Sequence, residues 1–419
     1  MDVHFHATQL NENAFVSLPS SKSLSHRALI AAALANGDSF IQGISESKDT
    51  KATMNVLEHL GISFERNDSG ILVHGCGGKF NYDGEVLDCN ESGSTLRFLI
   101  PLASLCGNVS FCGHGRLMER PQTVYEDIYK EHHLLFEKED GKLSVKGPLP
   151  ADIYTVKGDI SSQFITGLLF TLPLLNADSV IQILPPFESA SYVDLTLDTL
   201  RRSSIQFEKN DLIIKIPGNQ IYQPIQCKVE GDDSQMAFFC ELGLIQHRAV
   251  SVLNVNHDSH QGDHVIIDIA KRMGATVEEI ENGYLFNAKE LKATEIDLQD
   301  CPDLGPALFA LATQCKGTTT FIHCERLRIK ESDRIEAMEC ELRKLGCNIS
   351  SSGGTVTVTG PTTIRQHVRL NGHNDHRIVM SLAMLATLSD DIIIEGSEAV
   401  EKSYPCFFED LRKMGVNYD

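Results

Sequence analysis

The sequence predicts an α/β protein of two similar domains, each assembled from three units of about 70 residues. Three observations predict it. The chain has 419 residues, which is too long for one ordinary core. Six segments share one layout of helix and strand, and they recur at nearly constant spacing. Apolar residues make up 42% and charged residues 22%, which is the balance of a folded globular chain.

Each segment opens on a small polar or acidic residue, continues as an apolar helix, turns, and ends in a β-rich run. Spacings of 71, 69, 73, 69 and 72 residues separate the openings, which are Ser21, Ser92, Ser161, Ser234, Asp303 and Asp375. The strand candidates are short and β-branched or aromatic: SFIQGI, VSFCG, SVIQIL, AVSVLNV, TTTFIHC and DIIIEG. Six units divide evenly into two domains of three units each. The alternative is that all the units stack in a row as a solenoid.

The two helices of a unit differ in polarity. First helices, such as SKSLSHRALIAAALANG, are almost wholly apolar and predict burial on every side. Second helices are amphipathic and end in similar sequences, such as IAKRMGATVE and ELRKLGCNIS. Glycines near their ends predict left-handed C-terminal caps at Gly61, Gly274, Gly346 and Gly415.

Composition excludes several classes of function. A net charge of −20 argues against a nucleic-acid partner, which needs a basic field. The first ten residues lack the pattern of a signal peptide, and the uncharged stretch 160–177 contains Pro173 and polar residues that favour a buried helix over a membrane span. Twelve cysteines without a CxxC pair predict reduced, mostly buried thiols in a cytoplasmic protein.

Polar residues concentrate at helix openings, in SSKSLSHR, ESGSTLR and SSQ. A helix N-terminus presents free N–H groups and a positive dipole end, so it suits anions, although one Ser-rich opening is more typical of an ordinary cap. Further cations lie in ERP, RIKESDR, NDHR and EKSYP, each of which alone is typical of solvated surface. Together they predict a cleft for phosphates and carboxylates lined by Lys22, Arg27, Arg120, Lys330, Arg334, Arg377 and Lys402.

Ten strings resemble, in order and along the whole chain, the 5-enolpyruvylshikimate-3-phosphate (EPSP) synthase family. They are PSSKSLSHRALIAAALANG, ESGSTLRFLIPLA, ERP, SSQFITGLL, EGDDSQMAFF, QGD, CPDLGPALFALA, RIKESDRIEAM, NDHRIVMSLA and EKSYP. The resemblance implies two pseudo-three-fold domains of βαβαββ-type units, like an inside-out α/β barrel, with the active site in the cleft between them. The domains would be residues 20–229 and residues 1–19 plus 230–419, with crossovers near positions 19 and 229 and the strand-like stretch Phe5–Leu18 in the second domain.

The resemblance also implies the reaction. The 5-hydroxyl of shikimate 3-phosphate attacks C2 of phosphoenolpyruvate, C3 is protonated, and a tetrahedral intermediate loses phosphate. No metal or organic cofactor is expected, and the partners are the two substrates, with no nucleic acid or membrane. A cytoplasmic monomer is expected, and the family is the target of glyphosate.

Motif matches assign the site residues. Those expected to hold phosphoenolpyruvate are Lys22, Gly93, Arg120, Gln163, Arg334, Arg377 and Lys402. Those expected to hold shikimate 3-phosphate are Ser23, Arg27, Ser161, Ser162, Gln163, Ser189, Tyr192, Asp303 and Lys330. Asp303 is the candidate base on the 5-hydroxyl, and Glu331 and Lys22 are both candidates for proton transfer at C3.

Four positions depart from the family pattern: Ser20, Glu91, Asp233 and Arg326. They leave glyphosate sensitivity and one phosphate contact open. One alternative is the sister transferase acting on UDP-N-acetylglucosamine, which usually carries a cysteine in a Gly-rich loop, whereas residues 116–140 contain neither residue type. The other is a non-catalytic anion-binding relative, against which the complete catalytic set argues.

Overall fold

A computed structural model describes all residues from 1 to 419. The chain forms two compact units, residues 1–19 with 230–419 and residues 20–229. Each unit has its own core of buried apolar side chains. None of the helices combines the length and the apolar composition that a bilayer crossing requires.

The strands, in chain order, are β1 (Val3–Phe5), β2 (Ala14–Ser17), β3 (Asp38–Gln42), β4 (Ser63–Asn67), β5 (Gly70–His74), β6 (Leu87–Asp88), β7 (Asn108–Cys112), β8 (Phe136–Glu139), β9 (Lys142–Lys146), β10 (Ile153–Lys157), β11 (Ser179–Leu184), β12 (Glu208–Asn210), β13 (Ile213–Ile216), β14 (Gln226–Lys228), β15 (Val250–Leu253), β16 (Ala275–Ile280), β17 (Gly283–Ala288), β18 (Glu295–Asp297), β19 (Gly317–Ile322), β20 (Asn348–Ser352), β21 (Thr355–Gly360), β22 (Val368–Asn371) and β23 (Ile392–Glu395). The helices are α1 (Lys22–Leu34), α2 (Lys48–His59), α3 (Gly93–Ala103), α4 (Thr123–Glu131), α5 (Ser162–Thr171), α6 (Ala190–Arg202), α7 (Asp233–Ile245), α8 (Ile266–Arg272), α9 (Gly305–Ala312), α10 (Arg334–Lys344), α11 (His376–Ala386) and α12 (Phe407–Lys413).

Six small sheets repeat one plan. Five of them have four strands, of which the first two are parallel to each other and the third and fourth are each antiparallel to the strand before. Their strand orders are β14-β3-β5-β4, β6-β7-β9-β8, β10-β11-β13-β12, β2-β15-β17-β16 and β18-β19-β21-β20. The sixth, β22-β23-β1, follows the same pattern for three strands. An antiparallel bridge between Phe5 and Tyr418 extends it.

Each sheet with its two helices is a βαβαββ unit, as in β6-α3-β7-α4-β8-β9. The predicted repeat and fold class are therefore confirmed. The chain order is permuted in three units. Strand β2 precedes residues 20–229 whereas its helix α7 follows them, β14 closes the sheet that begins with β3, and β1 pairs with β23 near the other end of the chain. The stretch Phe5–Leu18 is not one strand: it contains the last residue of β1 and the whole of β2, which lie in different sheets, with a turn at Asn13 (φ of 59°) just before β2.

The first helices α1, α3, α5, α7, α9 and α11 are buried on nearly every side, as their apolar sequences predict. Helices α7, α9 and α11 pack against one another inside their unit, and α3 packs against both α1 and α5. The second helices keep an exposed charged face. Their C-terminal glycines, Gly61, Gly274, Gly346 and Gly415, all have φ between 90° and 103°, which confirms the left-handed caps.

Four of the six predicted openings are helix caps: the side chains of Ser21, Ser92, Ser161 and Asp375 accept N–H bonds of the next turn. Ser234 lies two residues after the cap of α7, Asp232, and Asp303 lies in a short turn before α9. The cysteine prediction is partly wrong. Only six of the twelve thiols are buried, and Cys340 and Cys406 are exposed, because the latter two lie on the outward faces of second helices or their approaches.

Candidate active site

The candidate residues lie at one edge of the small sheets. In four of the six repeats both parallel strands run into a helix of the same repeat, so the N-termini of the first and second helices meet at the carboxyl edge of the strand pair. In the other two repeats the strands β2 and β14 lead instead into α1 and α7. Lys22 and Arg377 begin first helices. Arg120, Lys330 and Lys402 lie in the segments that precede the second helices α4, α10 and α12.

The candidates fall into two groups. The first cluster, in the unit of residues 20–229, comprises Lys22, Ser23, Arg27, Gly93, Arg120, Ser161, Ser162, Gln163, Ser189 and Tyr192. The second cluster, in the other unit, comprises Asp303, Lys330, Glu331, Arg334, Arg377 and Lys402.

Lys22 is fixed by a carboxylate from the neighbouring second helix. Its Nζ lies 2.8 Å from Asp49 Oδ2, and both side chains are largely buried. The main-chain carbonyl of Asp49 accepts the hydroxyl of Thr95 at 3.3 Å, which connects this ion pair to α3. The openings of α1 and α3 are thereby held together through α2.

Arg27 is buried one turn into α1. It donates from Nη1 to the carbonyl of Ser23, from Nη2 to the carbonyl of Tyr192, both at 2.8 Å, and from Nε to Thr196 at 2.9 Å. Its guanidinium also stacks on Phe98, 5.2 Å from the ring centre. Burial lowers the pKa of Arg27 to about 10, so the group stays charged at neutral pH. Three of its five N–H groups are used within the unit.

Arg120 lies against the first residue of α3. A Cβ added to Gly93 would lie 2.8 Å from Arg120 Nη1 and 3.0 Å from its Cζ, closer than real side chains approach. Glycine at this position therefore lets the guanidinium sit directly on the helix N-terminus. The positive guanidinium and the positive end of the α3 dipole together favour an anion there.

Gln163 connects α5 to α3. Its Nε2 donates to Ser94 Oγ at 3.0 Å, and its Oε1 accepts from Arg97 Nη1 at 2.9 Å. Ser161 and Ser162 are buried at the same opening, and Ser161 caps α5. The amide orientation of Gln163 is thus set by two partners from α3.

Ser189 has an unusual backbone. It precedes α6 with φ of 55° and ψ of 41°, a left-handed conformation that costs a non-glycine residue about 1 kcal/mol or more. Its side chain is buried. Tyr192 follows within the first turn of α6, where its carbonyl holds Arg27.

Asp303 is the centre of the second cluster. Its Oδ1 accepts from Arg334 Nη1 at 3.0 Å and from Lys330 Nζ at 3.3 Å, and its Oδ2 accepts from Arg377 Nη2 at 3.0 Å. Arg377 also donates to Ser234 Oγ at 2.9 Å, which joins the openings of α7, α9 and α11. Three cations favour the charged form of this carboxylate.

Arg334 is the most enclosed cation of the site, with a side chain 1% exposed. Its Nε donates to Asp375 Oδ2 at 2.9 Å and its Nη2 to Glu331 Oε2 at 2.7 Å. Burial lowers the pKa of Arg334, but Asp375, Glu331 and Asp303 outweigh burial and raise it above the ordinary value. Burial likewise raises the pKa of Asp375, and the Arg334 charge brings it below the ordinary value.

Lys330 and Lys402 complete the cluster. Burial lowers the pKa of Lys330 to about 8, while Asp303 opposes the shift and Arg326 adds to it. Lys330 therefore loses its charge at mildly alkaline pH. Lys402 is buried and donates from Nζ to the carbonyl of Asn374 at 2.6 Å, one residue before the cap of α11.

Comparison with known proteins shows to which family this chain, with its two cation-rich clusters, belongs. Residues 8–411 match the family model described as EPSP synthase (3-phosphoshikimate 1-carboxyvinyltransferase). The curated 3-phosphoshikimate 1-carboxyvinyltransferases of Clostridium kluyveri and Clostridium beijerinckii are each 41% identical, over 96% of this chain and 95% of theirs. The chain belongs to the EPSP synthase family.

Solved structures agree on the fold. The EPSP synthase of Acinetobacter baumannii superposes with a TM-score of 0.83 at 24% identity, covering 100% of this chain and 99% of that one. The enolpyruvyl transferase NikO of Streptomyces tendae superposes at 0.78 with 15% identity, covering 100% and 98%. As a member of the EPSP synthase family, the chain is a transferase that moves the enolpyruvyl group of phosphoenolpyruvate to shikimate 3-phosphate.

Two of the departures from the EPSP synthase pattern have structural partners. Asp233 is fully buried and lies 2.9 Å from His264 Nδ1. Burial raises the pKa of Asp233, and His264 lowers it in part. Arg326 is also buried, and its positive charge contributes to lowering the pKa of Lys330.

Three residues that contact the candidate side chains were missing from the sequence assignment: Asp49, Arg97 and Asp375. Asp49 pairs with Lys22, Arg97 orients Gln163, and Asp375 holds Arg334. The sequence contained a weak signal for each of them: all three are charged residues at the cap or in the first turns of a helix, beside an apolar run. Their partners lie 27 to 66 residues away in sequence.

Proposed function

We propose that the two clusters act on one substrate pair and divide the work of enolpyruvyl transfer between them. The residues proposed for phosphoenolpyruvate are Lys22, Gly93, Arg120, Gln163, Arg334, Arg377 and Lys402. The residues proposed for shikimate 3-phosphate are Ser23, Arg27, Ser161, Ser162, Gln163, Ser189, Tyr192, Asp303 and Lys330. The substrates together carry two phosphates and two carboxylates, so the reaction needs the concentration of cations found at these helix N-termini.

Asp303 is proposed as the base that takes the proton of the 5-hydroxyl. Its carboxylate contacts Lys330, Arg334 and Arg377, which favour the charged form but weaken it as a base. Anionic phosphoenolpyruvate competes for Arg334 and Arg377. Binding of the co-substrate would thus raise the basicity of Asp303 at the moment when the hydroxyl must be deprotonated.

Glu331 and Lys22 are the proposed groups for proton transfer at C3. Glu331 accepts from Arg334 Nη2 at 2.7 Å, and Lys22 pairs with Asp49. The Glu331 carboxylate lies in the second cluster and the Lys22 ammonium in the first. Protonation of C3 makes C2 the electrophile that the 5-hydroxyl oxygen attacks. The tetrahedral intermediate then loses phosphate from C2 together with a proton from C3, which forms the enol ether.

The observation that carries this proposal is the contact of Asp303 with three cations at the meeting point of α7, α9 and α11. Its test is phosphate release measured with each substrate alone and with both together. The proposal predicts release only with both, and loss of release in Arg377→Met. Phosphate release from phosphoenolpyruvate alone at the same rate would contradict it.

We further propose that the protein works as a cytoplasmic monomer without metal or organic cofactor in catalysis. The scatter of its cysteines supports a reducing compartment. Light scattering after size exclusion measures the oligomeric state, and a dimer at micromolar concentration would contradict the monomer. Full turnover after exhaustive chelation is the expected result for cofactor-free chemistry.

A further inference from the structure

His4, on β1, and His6, just beyond the end of that strand, face residues 417–419. His4 and Asp419 exchange both main-chain hydrogen bonds, at 2.9 and 3.0 Å, and His6 donates its N–H to the carbonyl of Asn417 at 3.0 Å. Residues two apart on a strand point to the same face, so His4 and His6 lie side by side, with ring centres 4.5 Å apart. The backbone register thus brings two imidazoles and one carboxylate together.

The atoms that these groups offer are spaced as metal ligands. Asp419 Oδ1 lies 3.5 Å from His4 Nδ1 and 3.4 Å from His6 Nε2. One ligand atom from each of the three residues falls within 4.8 Å of the others. Ligands bound at about 2.0–2.1 Å in a tetrahedron are roughly 3.3 Å apart, so little movement would be needed to enclose a cation.

The opposite nitrogen of each ring has its own carboxylate. His4 Nε2 lies 2.6 Å from Asp391 Oδ1, and His6 Nδ1 lies 3.4 Å from Asp390 Oδ1. A carboxylate on the far nitrogen fixes the tautomer whose lone pair is on the near nitrogen, the arrangement found behind metal-bound histidines. Asp391 is held in turn by His367 Nδ1 at 2.5 Å.

We propose that His4 Nδ1, His6 Nε2 and Asp419 Oδ1 form a binding site for a divalent transition metal ion of the zinc type. Two imidazoles and one carboxylate suit zinc and cobalt better than magnesium, which prefers oxygen ligands. The half-exposed histidines and the exposed carboxylate give the ion access from solvent and leave its remaining positions to water. The bound ion ties the N-terminal strand to residues 417–419.

This metal site is separate from the catalytic residues. Asp390 and Asp391 precede β23, and His367 precedes β22, so the site lies at the amino edge of this parallel pair. Asp375 and Lys402 follow the carboxyl ends of the same strands. The expected role is structural, and activity should not depend on it.

Cobalt and zinc titrations of the intact protein test the site. Co²⁺ should give the visible absorption of a four-coordinate ion with nitrogen and oxygen ligands, at one equivalent. His6→Ala and Asp419→Asn should each weaken Zn²⁺ binding at least tenfold by calorimetry, and Asp391→Asn, which acts behind His4, should weaken it by about 10- to 100-fold. At a hundredfold excess over its Kd, zinc should raise the Tm of the parent protein by on the order of 5 °C and leave that of His6→Ala unchanged.

His59→Ala is the matched control, because His59 is similarly half-exposed but lies against a single aspartate, Asp83 at 2.7 Å, where His4 and His6 each lie against two. It should bind zinc as the parent does. Parent-like affinity in both His6→Ala and Asp419→Asn would overturn the proposal. So would a near-ultraviolet thiolate band with cobalt, which would assign the ion to exposed Cys340 or Cys406, or the absence of zinc uptake at millimolar concentration.

Discussion

Replacing Asp375 by asparagine removes one charge from the most deeply buried ion pair of the second cluster. Asp375 is fully buried and accepts from Arg334 Nε at 2.9 Å, from Ser332 Oγ at 3.0 Å, and from the N–H of Arg377 as the cap of α11. Asparagine keeps the volume and an oxygen for the cap. What is lost is the charge opposite Arg334.

The structure sets the size of the effect. Breaking a buried ion pair from one side costs about 3–5 kcal/mol, because the remaining charge stays desolvated. Arg334 keeps Glu331 and Asp303, so the lower end of that range, about 3 kcal/mol of unfolding free energy, is expected. Without its clamp the guanidinium turns, and a displacement near 1 Å at a reacting centre costs about 100-fold in kcat/KM.

Urea denaturation and steady-state phosphate release measure the two effects. Asp333→Asn is the matched control, since Asp333 also caps a helix, α10, but its pair with Arg328 at 3.2 Å is partly exposed. That variant should lose no more than about 1 kcal/mol. Asp375→Asn within 1 kcal/mol of the parent, or equal to Asp333→Asn in stability and turnover, would refute the assigned role of the pair.

Acid titration of the parent and of Asp375→Asn tests the direction in which the stability difference between them changes with pH. The pKa of Asp375 lies below its unfolded value of 3.8, so its stabilisation is complete above that pH and is lost as the pH falls through the folded-state pKa. The stability gap between parent and Asp375→Asn should therefore shrink below pH 3.8. A gap that widens on acidification would contradict the ionised carboxylate.

Three further substitutions address single contacts. Lys22→Met should lower kcat/KM for phosphoenolpyruvate by about 10- to 100-fold, because it deletes a charged donor, and unchanged steady-state kinetics would count against that contact. Gly93→Ala should raise the KM for phosphoenolpyruvate about tenfold while shikimate 3-phosphate binding holds, since the new methyl displaces Arg120, and an unaltered KM would disprove the close approach. Because the pKa of Lys330 is about 8, its side chain loses its charge as the pH rises through that value. Calorimetry should therefore show that shikimate 3-phosphate binds more weakly above pH 8 to the parent but not to Lys330→Arg. Equal pH profiles for the two proteins would contradict this.

The repeat was predictable because its signals are local. Apolar runs, capping residues and C-terminal glycines each act within one or two turns, and they recur at every unit. The strand pairings that close two sheets were not predictable from local patterns. β14 pairs with β3 from the opposite end of residues 20–229, and β2 pairs with β15 across the whole of those residues, so only tertiary packing selects these pairings.

The candidate residues divide in the same way. Lys22, Arg120 and Arg334 stand out as cations at helix openings, a property visible in the sequence. Asp49 and Asp375 have the same local appearance as ordinary first-turn acids or caps, and their importance comes from the cation that folding brings to them. Partner identity is a long-range property, which a motif alone does not contain.

Single-turnover phosphate release by Asp303→Asn tests the central claim most directly. The variant keeps the shape of the side chain but cannot accept the proton of the 5-hydroxyl. We predict that release slows by about 100- to 10,000-fold while calorimetry shows shikimate 3-phosphate still bound, and that the exposed control Asp268→Asn is unaffected. Release at the parent rate by Asp303→Asn, with both substrates saturating, would contradict the account.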